Sequence, residues 1–245
     1  MNLNYTLSGY IYISPEDDCH AIVDAMLATN YSEEFCLATD FNPDFVSRLM
    51  EAGFLVMSMY IREKEENFGC ILLPKLHLTR SALFYENLHI KRSIKRFINR
   101  YELKVDAEFD RIIDRCVEKH GSDWLTSPLV ESVKIIRSRS KMPQLPLTQH
   151  ENSSLQTPPY PVSFALYRDG ELVAGEFGVI CGRVYTSYSG FYEEDNAGTV
   201  QIIKTTRFLQ KNGFSFFDMG MPLDYKTDLG AVDISPEQFV KMFRS

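Results

Sequence analysis

The chain has 245 residues, 44% hydrophobic and 24% charged, with a formal net charge of −7 at pH 7. That is the composition of an ordinary soluble globular protein, long enough for a substantial core in one large domain or two unequal ones. No apolar run approaches the roughly 18 residues that suggest a membrane span, and the start, "MNLNYTLSGYIYISPEDDC", does not read as a signal peptide. Cys19, Cys36, Cys70, Cys116 and Cys181 are scattered, with no CxxC or Cys/His ligand spacing. The plain expectation is a reduced, cytoplasmic protein without a metal site or membrane partner.

In chain order, "SPEDDCHAIVDAMLATN" predicts a helix over 14–30, with Ser14 as cap, Pro15 in the first turn and Glu16, Asp17 and Asp18 at the positive end of the dipole. "NPDFVSRLMEAG" repeats the pattern, with Asn42 as cap and Gly53 as stop. Residues 54–61 and 70–74 read as strands around a charged turn.

"LHIKRSIKRFINR" (88–100) then gathers Lys91, Arg92, Lys95, Arg96 and Arg100 in an otherwise acidic chain. On a helix starting near His89, Ile90, Ile94, Phe97 and Ile98 share one face and the cations fall mostly off it. No acidic residue stands at i±4 to pair them. Two readings stay open: a solvated amphipathic helix, or a contact with phosphates that gains from counterion release.

"VDAEFDRIIDRCVEKHG" (105–121) predicts a helix capped by Asp106, with Phe109, Ile112, Ile113, Cys116 and Val117 as its stripe and Gly121 as its end. Trp124, the only tryptophan, lies between this helix and the next; it is either a core anchor or a stacking platform for a base. Residues 138–161 hold five of the 11 prolines and read as an exposed loop.

Strands follow. Residues 162–191 read as strand, Asp-Gly turn, strand, Cys-Gly-Arg turn, strand. Next come a helix over 196–213, a short buried strand over 214–220 and a closing helix from Ser235. Meander, helix, strand is the core order of the GNAT-type acyltransferases, so the expected fold class is α/β (α+β), a GNAT-like domain over 81–245 behind a small N-terminal domain over 1–80. An acyl-CoA enzyme would need a loop of free backbone N–H groups before the helix to hold pyrophosphate. The chain offers "YEEDNAG" there, and Glu193, Glu194 and Asp195 repel such a group. CoA chemistry therefore ranks last.

Several segments resemble, in order, motifs of the leucyl/phenylalanyl-tRNA–protein transferase family. "LHIKRSIKRF" is similar to its "LHISRSMKRF" type of segment, "FDRIIDRCVEKHGSDWLT" to "FxxVIxxCAxxRxxTWIT", "ELVAGEFGVICGRVYTSYSGF" to "ELVGGLYGVAxGxxFxGESMF", and "GFSFFDMGMPLDYKTDLGA" to "GxxLIDCQxxxxHLxSLGA". The likeness spans roughly residues 37–245, with an insertion near 139–160. It implies an aminoacyltransferase, without cofactor, that moves an amino acid from aminoacyl-tRNA to the N-terminus of an acceptor protein or peptide, an activity of the N-degron route of protein degradation. Lys91, Arg92, Lys95 and Arg96 would then neutralise phosphates of the tRNA, and Trp124, Glu176, Tyr185 and Tyr188 would border the substrate pocket.

The departures bear on chemistry. The family's "GES" glutamate falls at Tyr188, and its "DCQ" glutamine falls at Gly220, although the aspartate is kept as Asp218. Tyr188 and Asp218 are therefore the candidate catalytic groups, and a tyrosine is a poor base near pH 7. Of "WWSPDPR" only Arg80 matches. An apolar position of the family's pocket is Glu176, which meets the donor side chain, points elsewhere or makes a structural ion pair. Three readings follow: a transferase with altered donor specificity, a catalytically silent relative that binds tRNA or a protein terminus, and an acyl-CoA-dependent N-acyltransferase.

Overall fold

The protein is described by a computed structural model covering residues 3–63, 66–147 and 158–245. Residues 148–157 of the proline-rich stretch, and part of the charged turn before Cys70, lie outside the described residues.

The first helix, α1 (Cys19–Ala28), starts later than its sequence suggests. The Asp18 carboxylate accepts from the amides of His20 and Ala21 and so caps it, while Ser14 and Asp17 close their own turn through Ser14 N–H and Oγ to Asp17 Oδ2 at 2.8 and 2.9 Å. α2 (Pro43–Glu51) has the expected Asn42 cap. A long hairpin follows, β1 (Leu55–Glu63) antiparallel to β2 (Glu66–Lys75), as a two-stranded sheet of its own.

The second sheet has seven strands. They are β3 (Arg80–Leu83), β4 (Glu102–Val105), β5 (Tyr160–Arg168), β6 (Glu171–Cys181), β7 (Val184–Tyr192), β8 (Phe216–Asp218) and β9 (Val232–Ile234), in the order β4-β5-β6-β7-β8-β3-β9. Every neighbouring pair is antiparallel except β7 with β8, which is parallel. The expected mixed α/β class and the meander–helix–strand order are both present. α4 (Phe109–His120) and α5 (Ser127–Arg139) pack from the side of the N-terminal hairpin, and α6 (Ala197–Lys211) covers the other face. α7 (Asp224–Asp228) and α8 (Pro236–Phe243) close the chain, the latter with a Ser235/Gln238 capping box.

Three sequence expectations are corrected. The basic stretch is not one helix: α3 spans only Arg92–Lys95, and a 3-10 turn covers Ile98–Arg100. Its apolar residues still point inward, with Ile94 and Ile98 buried against the inner side of α6. Docking onto neighbours sets this segment, because a single turn has no helical stability of its own. Asp106 does not cap α4. It sits at φ +62° and its carboxylate is taken by Arg137 Nη1 (2.6 Å) and the Tyr160 hydroxyl (2.8 Å). Finally, the described flanks of the proline-rich stretch pack rather than project: Leu147 and Tyr160 join a buried cluster with Phe164 and Tyr185.

Candidate functional site

The parallel pair creates an opening. β7 pairs with β8 only from Val184–Thr186 to Phe216–Asp218. Beyond that, β7 stays on β6, while the chain after β8 turns toward β3, where Met219 N–H donates to Ser81 O (2.9 Å) and Ser81 N–H to Gly220 O (2.7 Å). The two strands separate after Thr186 and Asp218. Ser187 and Tyr188 border the gap on one side and Met219–Met221 on the other.

Alternation along β7 splits the candidate residues between the two faces of the sheet. Tyr188 faces the N-terminal hairpin. Its hydroxyl accepts the Val56 N–H at 3.1 Å and its ring lies against Phe177, with centroids 6.0 Å apart. Burial raises its pKa, so it serves as a fixed acceptor rather than as a base. Trp124 touches the same hairpin two residues on, its carbonyl accepting Ser58 N–H at 3.0 Å, and its side chain packs into the main core.

Asp218 also lies on this face, fully buried. Its Oδ1 accepts from Arg80 Nε (2.9 Å) and Gly220 N–H (3.0 Å), and its Oδ2 from Arg80 Nη2 (2.7 Å) and Thr186 Oγ1 (2.7 Å). Arg80 spends Nη1 on Gly53 O (3.0 Å) and stacks 3.7 Å over Phe239. Gly53 itself has φ +101° and a Cβ there would come 3.2 Å from Phe239, so a glycine is needed for this approach. The Arg80–Asp218 pair is thus a bidentate, fully satisfied anchor. It joins the two residues kept from the "WWSPDPR" and "DCQ" segments, 138 positions apart.

Glu176 and Tyr185 lie on the opposite face, toward α6. Glu176 is 4% exposed. Its Oε2 accepts the Ser187 hydroxyl at 3.1 Å, whereas its Oε1 and the Tyr185 hydroxyl have no hydrogen-bond partner of good geometry. Gln201 and Thr205 of α6 stand beside it, bonded to each other at 2.9 Å. Burial pushes the Glu176 carboxyl up to about 7, with these polar neighbours offsetting part of the shift. Among the described residues it makes no ion pair, so the structural ion-pair alternative is not what the geometry gives. The four residues expected around one pocket are therefore divided: Glu176 with Tyr185 on the α6 face, and Tyr188 with Trp124 on the hairpin face.

Two groups at the opening carried no signal in the sequence reading. Lys226, on α7 and 6% exposed, points back so that Nζ donates to Met219 O (2.5 Å) and Met221 O (2.7 Å). Burial lowers its pKa to about 8, against the pull of Asp218 and Glu176. His77, 3% exposed, has both ring nitrogens without a hydrogen bond. Gly220 has φ +71°, and a Cβ there would stand 3.8 Å from His77 Nε2.

The basic stretch adjoins this opening through α7. Lys91 Nζ pairs with Asp228 Oδ2 at 2.6 Å, and His89 N–H donates to Leu229 O at 2.9 Å. Arg92, Lys95 and Arg96 are exposed, and among the described residues no carboxylate pairs with them. Arg96 and Arg100 both lie over the Phe97 ring, at 4.8 and 5.0 Å. At the start of α6, Glu193 pairs with Arg115 and Glu194 with Arg168. Two of the three acids expected to repel a pyrophosphate are thus engaged by arginines, and Asn196 adds no side-chain cap.

Residues 147–244 match the family described as "Leucyl/phenylalanyl-tRNA protein transferase". That match runs from β5 to α8 and includes β7, β8 and α7 beside the opening. Curated proteins named leucyl/phenylalanyl-tRNA--protein transferase agree over a similar length. The one from Pseudomonas putida (strain W619) is 38% identical over 77 residues, which is 31% of this chain and 34% of that protein. The one from Pseudomonas fluorescens (strain SBW25) is 36% identical over 85 residues, 35% and 38% of the two chains. The alignments thus span about a third of the length of these relatives. Among solved structures, a GCN5-related N-acetyltransferase from Kribbella flavida aligns over 90% of this chain and 73% of its own at 12% identity, with a TM-score of 0.35. A functionally unknown conserved protein from Staphylococcus epidermidis ATCC 12228 aligns over 95% and 83% at 8% identity, with a TM-score of 0.40. Both are too distant to bear on function. No helix among the described residues is long and apolar enough to cross a membrane.

Proposed function

We propose that this chain is an aminoacyl-tRNA-dependent transferase that adds an amino acid to the N-terminus of a protein, in a cytoplasmic setting and without cofactor or metal. The observation that carries the reading is the junction at α7: the segment with the family's residues borders the opening, and its far end is paired to the exposed basic stretch through Lys91 and Asp228. The acceptor stem of a tRNA would lie along Arg92, Lys95 and Arg96, which supply charge without reading sequence. Its charged 3′ end would reach the gap between β7 and β8. A small N-terminal domain to about residue 80 would then wall one side of the site, and the remainder would form the transferase domain.

The donor differs from leucine or phenylalanine in this reading. The face toward α6 presents Glu176, Gln201, Thr205, Ser187 and the Tyr185 hydroxyl where an apolar side chain needs apolar walls. An unpaired buried carboxylate rejects a leucyl group and favours a side chain that can donate to it. Asp218 acts by positioning, since both of its oxygens are spent on Arg80, Thr186 and Gly220. Transfer of an ester-linked acyl group to an amine rests largely on holding the two reactants together, so the absence of an acid–base pair at Tyr188 and Gly220 is compatible with activity.

One observation favours the second reading, a silent relative that still binds tRNA: the Tyr188 hydroxyl is already engaged with Val56 N–H. Incubation with total charged tRNA and a peptide library, read by mass spectrometry, separates the two. Peptides extended by one polar residue are the expected result. Binding of tRNA with no extension by any residue would establish the silent relative, and efficient leucine addition would contradict both.

A further inference from the structure

We infer that His77 and Lys226 form a binding site for the carbonyl oxygen of the aminoacyl ester, at the place in the opening where Gly220 contributes no side chain. This rests on the transferase reading and names a part of the same site.

A buried imidazole with neither nitrogen bonded is a costly arrangement unless a ligand completes it. His77 is such a group, and its Nδ1 is 4.0 Å from Glu34 Oε1, beyond a hydrogen bond. Burial, with Arg80, Lys75 and Lys226 nearby, lowers its pKa to about 2. It is a neutral ring at physiological pH, with one N–H to give and no role as an acid. An ammonium carries three donors. Lys226 gives two to Met219 O and Met221 O, and among the described residues the third has no partner.

The surrounding charges are already committed. Arg80 is held by Asp218 and Gly53 O, and Lys75 is held by Glu34 at 2.7 Å. Lys226 is the cation of this group without a carboxylate in contact. What the cluster lacks is an acceptor oxygen. Gly220 lies between the two carbonyls that Lys226 holds, in a left-handed conformation that glycine takes without strain, and a Cβ there would stand 3.5 Å from Leu55 Cδ1 and 3.8 Å from His77 Nε2. A glycine at 220 leaves only Leu55 and His77 facing the side-chain direction, and that is the place the inference assigns to a small polar group of a substrate.

In the transfer step the lone pair of the acceptor amine forms a bond to the carbonyl carbon, and the C=O pair moves onto oxygen. The ester C–O bond then breaks, its electron pair leaves on the ribose oxygen, and the proton lost by the amine ends on that oxygen. Negative charge gathers on the carbonyl oxygen midway. In this reading the leftover N–H of the Lys226 ammonium and the N–H of His77 would donate to that charge.

The test compares binding of adenosine with that of 3′-amide-linked aminoacyl adenosines carrying arginyl, glutaminyl or leucyl groups, by calorimetry on the full chain. The parent is expected to bind at least one acylated form at least ten times more tightly than adenosine. His77→Leu and Lys226→Met should each lose most of that preference while adenosine binding stays the same, and His77→Gln, which keeps a donor, should retain part of it. In transfer assays kcat should fall more than KM. Should Lys226→Met fail to fold, as its melting profile would reveal, the His77→Leu and His77→Gln pair decides alone. An unchanged preference for the acyl group in folded variants overturns this site and leaves the transferase reading standing. A parent that binds no acylated adenosine better than adenosine overturns both.

Discussion

The two faces of the sheet beside the opening are built on opposite terms. On the hairpin side, Arg80, Asp218, Thr186, Gly220 N–H and Gly53 O close a network in which both carboxylate oxygens are saturated. On the α6 side, Glu176 keeps one oxygen and Tyr185 its hydroxyl without a partner, although both are buried. A satisfied buried network specifies structure, whereas an unsatisfied one costs stability unless something else completes it. The Arg80–Asp218 network is scaffold, whereas Glu176 and Tyr185 toward α6, and His77 beside Gly220, keep the unmet groups where a ligand is expected.

The largest effect should come from breaking the satisfied face. Asp218→Ala leaves the Arg80 guanidinium buried without a counter-charge, and removal of one partner of such a pair costs roughly 3–5 kcal/mol. Denaturant unfolding measures this; a loss below about 1 kcal/mol would mean that the pair is not the anchor described.

The unsatisfied face should respond to pH. The Glu176 pKa is raised by burial to about 7 in the folded chain, above its unfolded value of about 4.3. Its contribution to stability is therefore fully present below about pH 4.3 and is lost as pH rises through 7, with a cost that reaches roughly 4 kcal/mol. Glu176→Gln should remove this slope and be more stable than the parent at pH 8, as thermal unfolding across pH would record. Equal slopes in both proteins would place the carboxylate in contact with solvent or with a cation.

A smaller effect, on binding rather than folding, belongs to the basic stretch. Replacing Arg92, Lys95 and Arg96 together by Ala should weaken tRNA binding and flatten its dependence on log salt by about two to three units. Lys91→Ala alone should matter least, because Asp228 already holds its ammonium. Unchanged salt dependence in the triple variant would return the segment to a solvated face.

Legibility in the sequence followed the range of the interactions. The β5–β7 meander could be read because each turn announces itself locally, at Asp169-Gly170 and at Gly182. β3 and β9, at four and three residues, have no period to detect and exist through their pairing with each other and with β8. The spacing of Ile90, Ile94, Phe97 and Ile98 suggested one helix, since it encodes which side faces the core but not that Leu229 would capture the segment's entry at His89 N–H. Arg80 and Asp218 were each visible as resemblances, yet nothing local says that they are partners. His77 and Lys226 were invisible for a further reason: a histidine or lysine gives no sign in the sequence that its donors will be buried and left over.

The most direct test of the account is the donor preference of the α6 face. Parent and Glu176→Met proteins would be given leucyl-tRNA or a mixture of polar and basic aminoacyl-tRNAs, with one acceptor peptide, and extension would be counted by mass spectrometry. The account predicts that the parent transfers the polar or basic residues and little leucine, and that Glu176→Met gains at least tenfold in leucine transfer. A parent that transfers leucine as well as the variant does would contradict it, because the Glu176 carboxylate would then not meet the donor side chain.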